Sequence, residues 1–287
     1  MPEFEGLLLD IEAGVATITL NRPDELNPID ESVLDTLLAA LEFVEAGDSV
    51  RVVRLKGSGR AFSAGGNLKS LYDWFTYEPE ATGPHAWELG QSRAELDRAW
   101  VGTLIERLLR IRAYRKPIIA QVHGYCIGGG IELIGASDVI FAATDAKFAH
   151  PPIRAHGILA TLGMWPFRIG MLKTKELLFT GDTIDGVEAE RIGMINRAIA
   201  PDELDAVTLA YCRRAAQVPL SGLTAAKLWT NRWFDIAGMR TAAAEGAEFD
   251  SLLHTDPAFD AFVHIAKDQG LKAALAWRDD PFKSGKG

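Results

Sequence analysis

The sequence predicts an α/β fold followed by an all-helical C-terminal part, and three observations support this prediction. Short apolar stretches alternate with loops and helical periodicities as far as about residue 199. Two of these stretches lead into Gly-rich loops, at residues 57–67 and 123–130. Helical periodicity is then almost continuous over 202–217, 220–237, 239–254, 257–267 and 270–277. We therefore predict a core of residues 1–200 and a helical region of residues 201–287.

The elements of the core are predicted in order from local patterns. Leu7–Ile11 and Val15–Leu20 flank a turn and predict a β-hairpin. Asp30 precedes an amphipathic helical pattern that ends at Gly47, as expected for a capped helix. The later predictions are a strand at 51–56, a helix at 101–114, a strand at 117–122, a helix at 131–136 and a strand at 138–143.

Composition narrows the class of function. The chain has 287 residues, of which 48% are apolar, so it can bury a large core. A net charge of −9 disfavours nucleic acid as a partner. We expect no signal peptide, no membrane span and a cytoplasmic location. The two cysteines, Cys126 and Cys212, form no metal-ligand spacing, so we expect no metal site and regard Cys126 as a packing residue.

The two Gly-rich loops are the strongest candidates for a functional site. They are Phe62–Asn67 and Gly124–Glu132, and each leads from an apolar strand towards a helix. Glycine allows close backbone approach, and the start of a helix leaves N–H groups free. Two such loops that meet could direct two N–H donors at one oxygen atom, as a thioester carbonyl that becomes an enolate requires. Signatures of nucleotide hydrolases, nicotinamide enzymes, zincins and serine hydrolases are missing.

The chain resembles the crotonase superfamily over most of its length, with the motifs in family order. ITLNRPDELNPI at Ile18–Ile29 is similar to the opening motif of that family, and VVRLKGSGRAFSAGGNL at Val52–Leu68 to its first oxyanion segment. Lys116–Phe148 resembles the second oxyanion segment, and Leu177–Ile199 the helical turn that follows it. The ending GLKAALAWRDDPF resembles the C-terminal signature of the family. The resemblance implies a spiral of ββα units and a C-terminal helical region that mediates trimers or dimers of trimers.

The resemblance also implies roles for particular residues. The backbones of Gly66 and Gly129 correspond to the two oxyanion donors, and Glu132 to a catalytic acid or base. Coenzyme A would be part of the substrate, and no separate cofactor is expected. Ala64 and its neighbours would meet the adenine, while Lys69, Arg278 and Lys283 are candidates for the coenzyme phosphates. The predicted substrate-binding set is Ala64, Gly65, Asn67, Leu68, Lys69, Tyr125, His150, Pro152 and Trp165.

One position departs from the pattern of the hydratases in this family. Those enzymes use a second glutamate in a Q-P-E motif, where this chain reads His150-Pro151-Pro152. Proline cannot transfer a proton, whereas adding water to a 2-enoyl thioester needs a base for the water and an acid for the α-carbon. His150 or His156 could substitute, or Glu132 could perform both steps.

Two classes of function therefore stay open. The leading hypothesis is an enoyl-CoA hydratase or isomerase type of lyase that uses Glu132. Hydrolysis, ring opening and decarboxylation of an acyl-CoA would use the same oxyanion site and are the alternatives within the superfamily. The second class is a non-catalytic acyl-CoA-binding protein of the same fold, which the retained glycines and Glu132 disfavour.

Overall fold

The computed structural model of the protein describes residues 2–47, 49–68, 93–155, 157 and 165–283. The strands of these residues, in chain order, are β1 (Leu7–Glu12), β2 (Val15–Leu20), β3 (Val52–Gly57), β4 (Ala61–Ser63), β5 (Ile118–Val122), β6 (Tyr125–Ile127), β7 (Val139–Ala143), β8 (Lys147–Ala149), β9 (Ile184–Asp185) and β10 (Arg197–Ile199). The α-helices are α1 (Glu31–Glu45), α2 (Arg93–Arg112), α3 (Gly129–Gly135), α4 (Trp165–Thr180), α5 (Gly186–Arg191), α6 (Leu204–Ala215), α7 (Leu220–Ile236), α8 (Met239–Leu253), α9 (Pro257–Gln269) and α10 (Leu271–Asp279). Short 3₁₀ helices form at Pro23–Glu25, Pro151–Arg154 and Asp280–Phe282.

The strands form two sheets that the chain visits alternately. A six-stranded sheet has the order β1-β2-β3-β5-β7-β10, and a four-stranded sheet has the order β4-β6-β8-β9. The predicted hairpin pairs β1 with β2 in antiparallel register, whereas the other pairs of the larger sheet are parallel. Strands β3, β5 and β7 lie in the larger sheet, and each is followed by a strand of the smaller one. This winding confirms the predicted spiral of ββα units.

Helix α1 shows how the apolar pattern becomes packing. The Asp30 carboxylate accepts a 2.9 Å hydrogen bond from the Val33 amide and caps the helix, as its sequence position predicts. The apolar side chains at its helical spacing are buried in the main core, and they are Val33, Leu34, Leu37, Leu41 and Val44. Helix α1 also packs against α2, so its buried stripe helps to position the wall of the cavity described below.

The C-terminal helices lie within a few residues of their predicted bounds and pack on the spiral. Helix α6 lies against β3, β5 and β7, and α8 lies along α2. Helix α7 contributes Lys227, whose ammonium lies 2.7 Å from the Asp138 carboxylate of the spiral. The division at residue 200 stays a prediction.

Helix α2 begins eight residues earlier than predicted, at Arg93 instead of residue 101. Its first two turns carry Arg93, Glu95, Asp97 and Arg98, which conceal the apolar periodicity. Asp97 is nevertheless buried. Its carboxylate has a polar partner there, since it lies 2.7 Å from the ring of His254, the residue that follows α8. Within the described residues, the helices are all too short or too polar to cross a membrane.

Candidate functional site

The first Gly-rich loop rests on a turn formed by the opening motif. Asn27 is buried, and its side-chain amide nitrogen donates 2.9 Å hydrogen bonds to the backbone carbonyls of Ser58 and Ala61. The preceding residue, Leu26, adopts a left-handed conformation with φ of 62°, and its carbonyl accepts from the Ala64 amide at 2.9 Å. The motif therefore fixes both ends of the segment between β3 and the loop that follows β4.

Backbone pairing then sets the direction of the amides in this loop. The Ile29 amide donates to the Gly65 carbonyl at 2.8 Å, and the Asn67 amide donates to the Ile29 carbonyl at 3.3 Å. The Gly65 amide donates to the Ser63 hydroxyl at 3.1 Å. Gly65 has a φ of 114°, which side-chain-bearing residues rarely adopt, so the loop needs glycine there. The amides of residues 64, 65 and 67 thus already donate hydrogen bonds, and the Gly66 amide lies between them.

The second Gly-rich loop leads directly into α3. Gly128 has a φ of 46°, and its amide donates to the Ala149 carbonyl at 3.1 Å. The Gly128 carbonyl accepts from the amides of Ile131 and Glu132, which starts the helix. Gly129 is the first residue of α3, so its amide is one of the groups that a helix leaves without an internal partner.

The two loops meet at Gly66 and Gly129. A β-carbon placed on Gly129 would lie 3.3 Å from the Gly66 amide nitrogen. Within the described residues neither of these two amides donates a hydrogen bond, and both glycines are at least partly accessible. Two adjacent free N–H groups can donate to one oxygen atom, which is the arrangement that stabilises an oxyanion.

A cavity of about 310 Å³ opens beside these glycines. Glu132, on the first turn of α3, lines this cavity and is only 4% exposed. Helices α1 and α2 supply an apolar wall of Leu34, Val101, Leu104, Ile105 and Leu108. A small acyl group would find apolar contacts in such a cavity, next to the amides and a carboxyl group.

Charged groups surround α3 outside the cavity. The Arg168 guanidinium donates to the Gly135 carbonyl at the C-terminal end of α3, at 3.2 Å. Burial lowers the pKa of Arg168 to about 10, and the charges of Asp138 and Glu132 oppose that effect. Burial likewise raises the pKa of Asp138 and lowers that of Lys227, while their mutual attraction opposes both shifts. Asp138 also accepts a hydrogen bond from the Ile118 amide at 2.7 Å. With its ion pair to Lys227, this bond gives Asp138 a structural role, because it connects β5, β7 and α7.

Several predicted substrate-binding residues line the cavity. They are Ala64, Gly65, Leu68, His150 and Pro152. The Ala64 amide already donates to Leu26, so a backbone contact from Ala64 to a ligand would use its carbonyl. His150 is 1% exposed and lies edge-to-face against Trp165, with ring centroids 6.2 Å apart.

Other predicted residues lie elsewhere. Tyr125 is 48% exposed, whereas Trp165 is buried against the His150 ring. Neither Tyr125 nor Trp165 lines the cavity. The side-chain amide nitrogen of Asn67 donates to the Asp30 carboxylate at 2.9 Å and thereby ties the first loop to the start of α1. Lys69 and His156 lie outside the described residues. The roles of these residues towards a substrate stay predictions.

Three further residues discussed from the sequence differ in their surroundings, namely Arg278, Lys283 and Cys126. Arg278 lines the cavity and makes a two-pronged ion pair with Asp279, at 2.8 and 2.7 Å, while Lys283 is exposed beside Asp280. Burial raises the pKa of the Cys126 thiol well above its usual range, which fits a packing residue and not a nucleophile.

The C-terminal helices contribute cavity residues that sequence reasoning missed. Gly246 and Asp250 of α8 and Leu275 of α10 line the same cavity as Glu132. One signal was available in the sequence, because Asp250 falls on the apolar stripe of α8 with Ala243 and Ala247. A carboxylate at such a position is unusual unless it has a polar partner or a function.

The two sheets, the ββα winding and the paired Gly-rich loops define the crotonase fold. The model of the family described as "Enoyl-CoA hydratase/isomerase" matches residues 10–267. This chain therefore belongs to the enoyl-CoA hydratase/isomerase family.

Individual relatives agree with this assignment. "Probable enoyl-CoA hydratase echA8" of Mycobacterium tuberculosis (strain CDC 1551 / Oshkosh) is 30% identical over 97% of this chain and 98% of its own. A crystal structure of an enoyl-CoA hydratase from Mycobacterium smegmatis superposes with a TM-score of 0.86 at 30% identity, covering 97% of this chain and 94% of that one. An enoyl-CoA hydratase/isomerase from Xanthobacter autotrophicus Py2 gives a TM-score of 0.85 at 30% identity, covering 98% and 99%.

Proposed function

We propose that this protein is an enzyme that binds an acyl-coenzyme A thioester with its carbonyl oxygen between the amides of Gly66 and Gly129. The reaction is of the enoyl-CoA hydratase/isomerase type, with an enolate as the intermediate and Glu132 as the acid or base. The observation that carries this proposal is the approach of the two loops, which is so close that a β-carbon added to Gly129 would lie 3.3 Å from the Gly66 nitrogen. Names of relatives give independent support for the acyl-CoA substrate.

The chemistry follows from charge movement at the thioester. When a nucleophile adds to the β-carbon, or a base removes an α-proton, negative charge develops on the thioester oxygen. Two fixed N–H donors stabilise that charge more than they stabilise the neutral carbonyl, so they lower the barrier. Glu132, on the helix turn that starts at Gly129, is suited to move the proton because its carboxyl group lines the same cavity.

Pro152 favours a second candidate within the same site. The loop that carries the second glutamate in the hydratase pattern here supplies Pro151 and Pro152 to the cavity wall. A site with fewer carboxyl groups at that wall also suits hydrolysis, ring opening or decarboxylation of an acyl-CoA, each of which uses the oxyanion donors. The direct test is turnover on a panel of acyl-CoA thioesters that differ in chain length, ring content and β-substitution.

The panel separates the candidates clearly. Hydration or double-bond migration of 2-enoyl thioesters supports the leading proposal, and turnover of only another class replaces it with the second candidate. Tight coenzyme A binding without turnover of any thioester would instead identify a non-catalytic acyl-CoA-binding protein. Glu132→Gln, measured in parallel, reports whether the carboxyl group takes part in whichever reaction is found.

The proposed assembly is a homotrimer or a dimer of trimers without a nucleic-acid or membrane partner, located in the cytoplasm, with no cofactor beyond the coenzyme A of the substrate. Helix α7 supports the assembly, because it exposes Trp229, Trp233 and Ile236 by 61–70%. Large exposed apolar groups on one helix are typical of an interface between proteins. Sedimentation at micromolar concentration tests this proposal, and a monomer would contradict it.

A further inference from the structure

Asp250 is a carboxylate that the C-terminal helices bring into the cavity of Glu132. It lies on α8, is 1% exposed and lines the cavity together with Gly246 from one turn earlier. Residues four apart share a face of a helix, so this face of α8 is directed towards the cavity. Because Gly246 has no side chain, α8 leaves space for an acyl group next to the Asp250 carboxyl.

The described lining of the cavity contains few groups that can transfer a proton. They are the carboxyl groups of Glu132 and Asp250 and the imidazole of His150. Hydration of a 2-enoyl thioester needs two proton transfers, one from water and one to the α-carbon. Proline at 152 removes the carboxyl group that the hydratase pattern would supply for one of them.

We propose that Asp250 is a second catalytic residue, which shares the two proton transfers with Glu132 and replaces the carboxyl group that is missing at position 152. This inference rests on the proposed function. An ionised carboxylate takes a proton from water as the water oxygen bonds to the β-carbon, and the electron pair of the C=C bond moves onto the thioester oxygen. The enolate then re-forms the carbonyl while the α-carbon takes a proton from the other, protonated carboxyl group. Proton exchange with solvent restores both groups.

Asp250 is favoured over His150 because the two residues belong to different walls of the cavity. His150 precedes the Pro151–Arg154 turn and packs against Trp165, so it belongs to the wall that also carries Pro152. Asp250 approaches from a different element, α8, which packs along the apolar wall formed by α2. A substrate that fills the cavity would therefore lie between Glu132 and Asp250, so that one carboxyl group can take a proton from the water that attacks the β-carbon while the other delivers a proton to the α-carbon.

The test compares hydration of 2-butenoyl-coenzyme A by the wild type, Asp250→Asn, Asp250→Glu and the double variant Asp250→Asn/Pro152→Glu. We expect Asp250→Asn to lower kcat by roughly 100-fold or more with little change in KM, and to remove one limb of the pH–rate profile. The kcat of the double variant should be at least about tenfold higher than that of Asp250→Asn, because the second substitution returns a carboxyl group to the other wall of the cavity. A structural role for Asp250 predicts no such recovery.

Ser251→Ala is the matched control. Ser251 is the buried neighbour on α8, but it faces a separate cavity with Asp97 and His254, so its loss should leave kcat and both limbs unchanged. If Asp250→Asn does not fold, Asp250→Glu decides the question. A folded Asp250→Glu enzyme should lose roughly tenfold or more in kcat because the proton-transfer group is displaced, and an unchanged kcat would overturn the proposal.

The outcomes also separate this proposal from the function on which it rests. If Glu132→Gln abolishes hydration while Asp250→Asn retains the full rate and both limbs, only the role of Asp250 is overturned. If loss of one limb follows His150→Gln instead, the second group is His150. If the wild type moves the double bond of a 2-enoyl thioester but hydrates none, only the role of Asp250 in hydration fails. If it does neither, the proposed function and the role of Asp250 fail together.

Discussion

Gly129 lies against Gly66 so closely that a β-carbon on Gly129 would come within 3.3 Å of the Gly66 amide nitrogen and within 3.3 Å of the Ile29 β-carbon. The two glycines come from loops separated by more than sixty residues in the chain. Their approach depends on the backbone bonds of Ile29 to the first loop and on the bond of Gly128 to Ala149. The spacing therefore depends on the alignment of β4, β6 and β8 in the smaller sheet.

The first prediction concerns the amide of Gly129. Gly129→Pro removes this N–H, and proline is well tolerated at the first position of a helix, so the protein should fold. Loss of one oxyanion donor typically lowers turnover by ~100–1,000-fold. Gly129→Ala is the control, because it adds the same β-carbon and keeps the N–H. Turnover of Gly129→Pro that equals that of Gly129→Ala would contradict the assignment of this amide as a donor.

The second prediction concerns Glu132. Glu132→Gln keeps the size and much of the hydrogen bonding of the side chain but removes the ionisable carboxyl group. Acid–base catalysis contributes roughly 10²–10⁴-fold, so kcat should fall by about that much while coenzyme A binding persists. Steady-state kinetics measures kcat, and calorimetric titration with coenzyme A measures binding. An unchanged kcat would mean that another group moves the proton.

The sequence predicted those parts of the fold that depend on local patterns. The helices from α7 to α10 were predicted to within about two residues, since each has an apolar stripe bounded by proline or glycine. Helix α2 was predicted too short because its first turns are stabilised by tertiary contacts such as the Asp97–His254 pair, which no local pattern shows. Tertiary burial can thus hold a charged segment in a helix despite weak periodicity.

The site shows the same division. Gly66, Gly129 and Glu132 could be predicted as site residues because their motifs are local, and all three line one cavity, while their roles stay predictions. Asp250 was not predicted, because its place in the lining of this cavity depends on how α8 packs along α2. Long-range packing of this kind cannot be read from spacing along the chain.

The third prediction concerns pH and Asp205. The Asp205 carboxylate accepts from Lys56 at 2.8 Å and from Gln121 and Arg54 at 3.2 Å, which ties α6 to the larger sheet. Partial burial raises its pKa, but the hydrogen bonds from Lys56 and Gln121 and the charge of Arg54 outweigh that effect and bring the pKa to about 2. Because the folded pKa lies below the unfolded value of about 3.9, this contribution to stability is complete above pH 4 and is lost as the pH falls towards 2.

Urea unfolding of the wild type and Asp205→Asn measures this contribution. The wild type should be more stable at pH 7, and the difference in unfolding free energy should shrink as the pH falls from about 4 to 2. Asp202→Asn is the control, since Asp202 is an exposed residue just before α6 that forms no ion pair within the described residues. A difference between the wild type and Asp205→Asn that does not change with pH would contradict the assignment.

The last prediction restores a carboxyl group at position 152. The Pro152 carbonyl accepts from the Ala155 amide, a bond that any residue can make, and Pro151 still starts the 3₁₀ turn, so Pro152→Glu should fold. Since Pro152 lines the cavity, the new carboxyl group can reach a substrate there. If the protein is a hydratase limited by the proline, hydration of a simple 2-enoyl-CoA should rise. If Asp250 already supplies the second carboxyl group, the hydration rate should stay as it is. If the site has a different native reaction, hydration should not rise and the native turnover should fall.

The pH at which this gain appears is part of the prediction. A carboxyl group at 152 would share the cavity with Glu132, and two carboxyl groups close together raise the pKa of one of them. Hydration therefore has to be measured against pH for the wild type, Glu132→Gln and Pro152→Glu. A gain that shifts towards higher pH and disappears in Glu132→Gln/Pro152→Glu would show that the two groups act together. A gain that survives the loss of Glu132 would mean that the introduced group works alone and that Glu132 is not its partner.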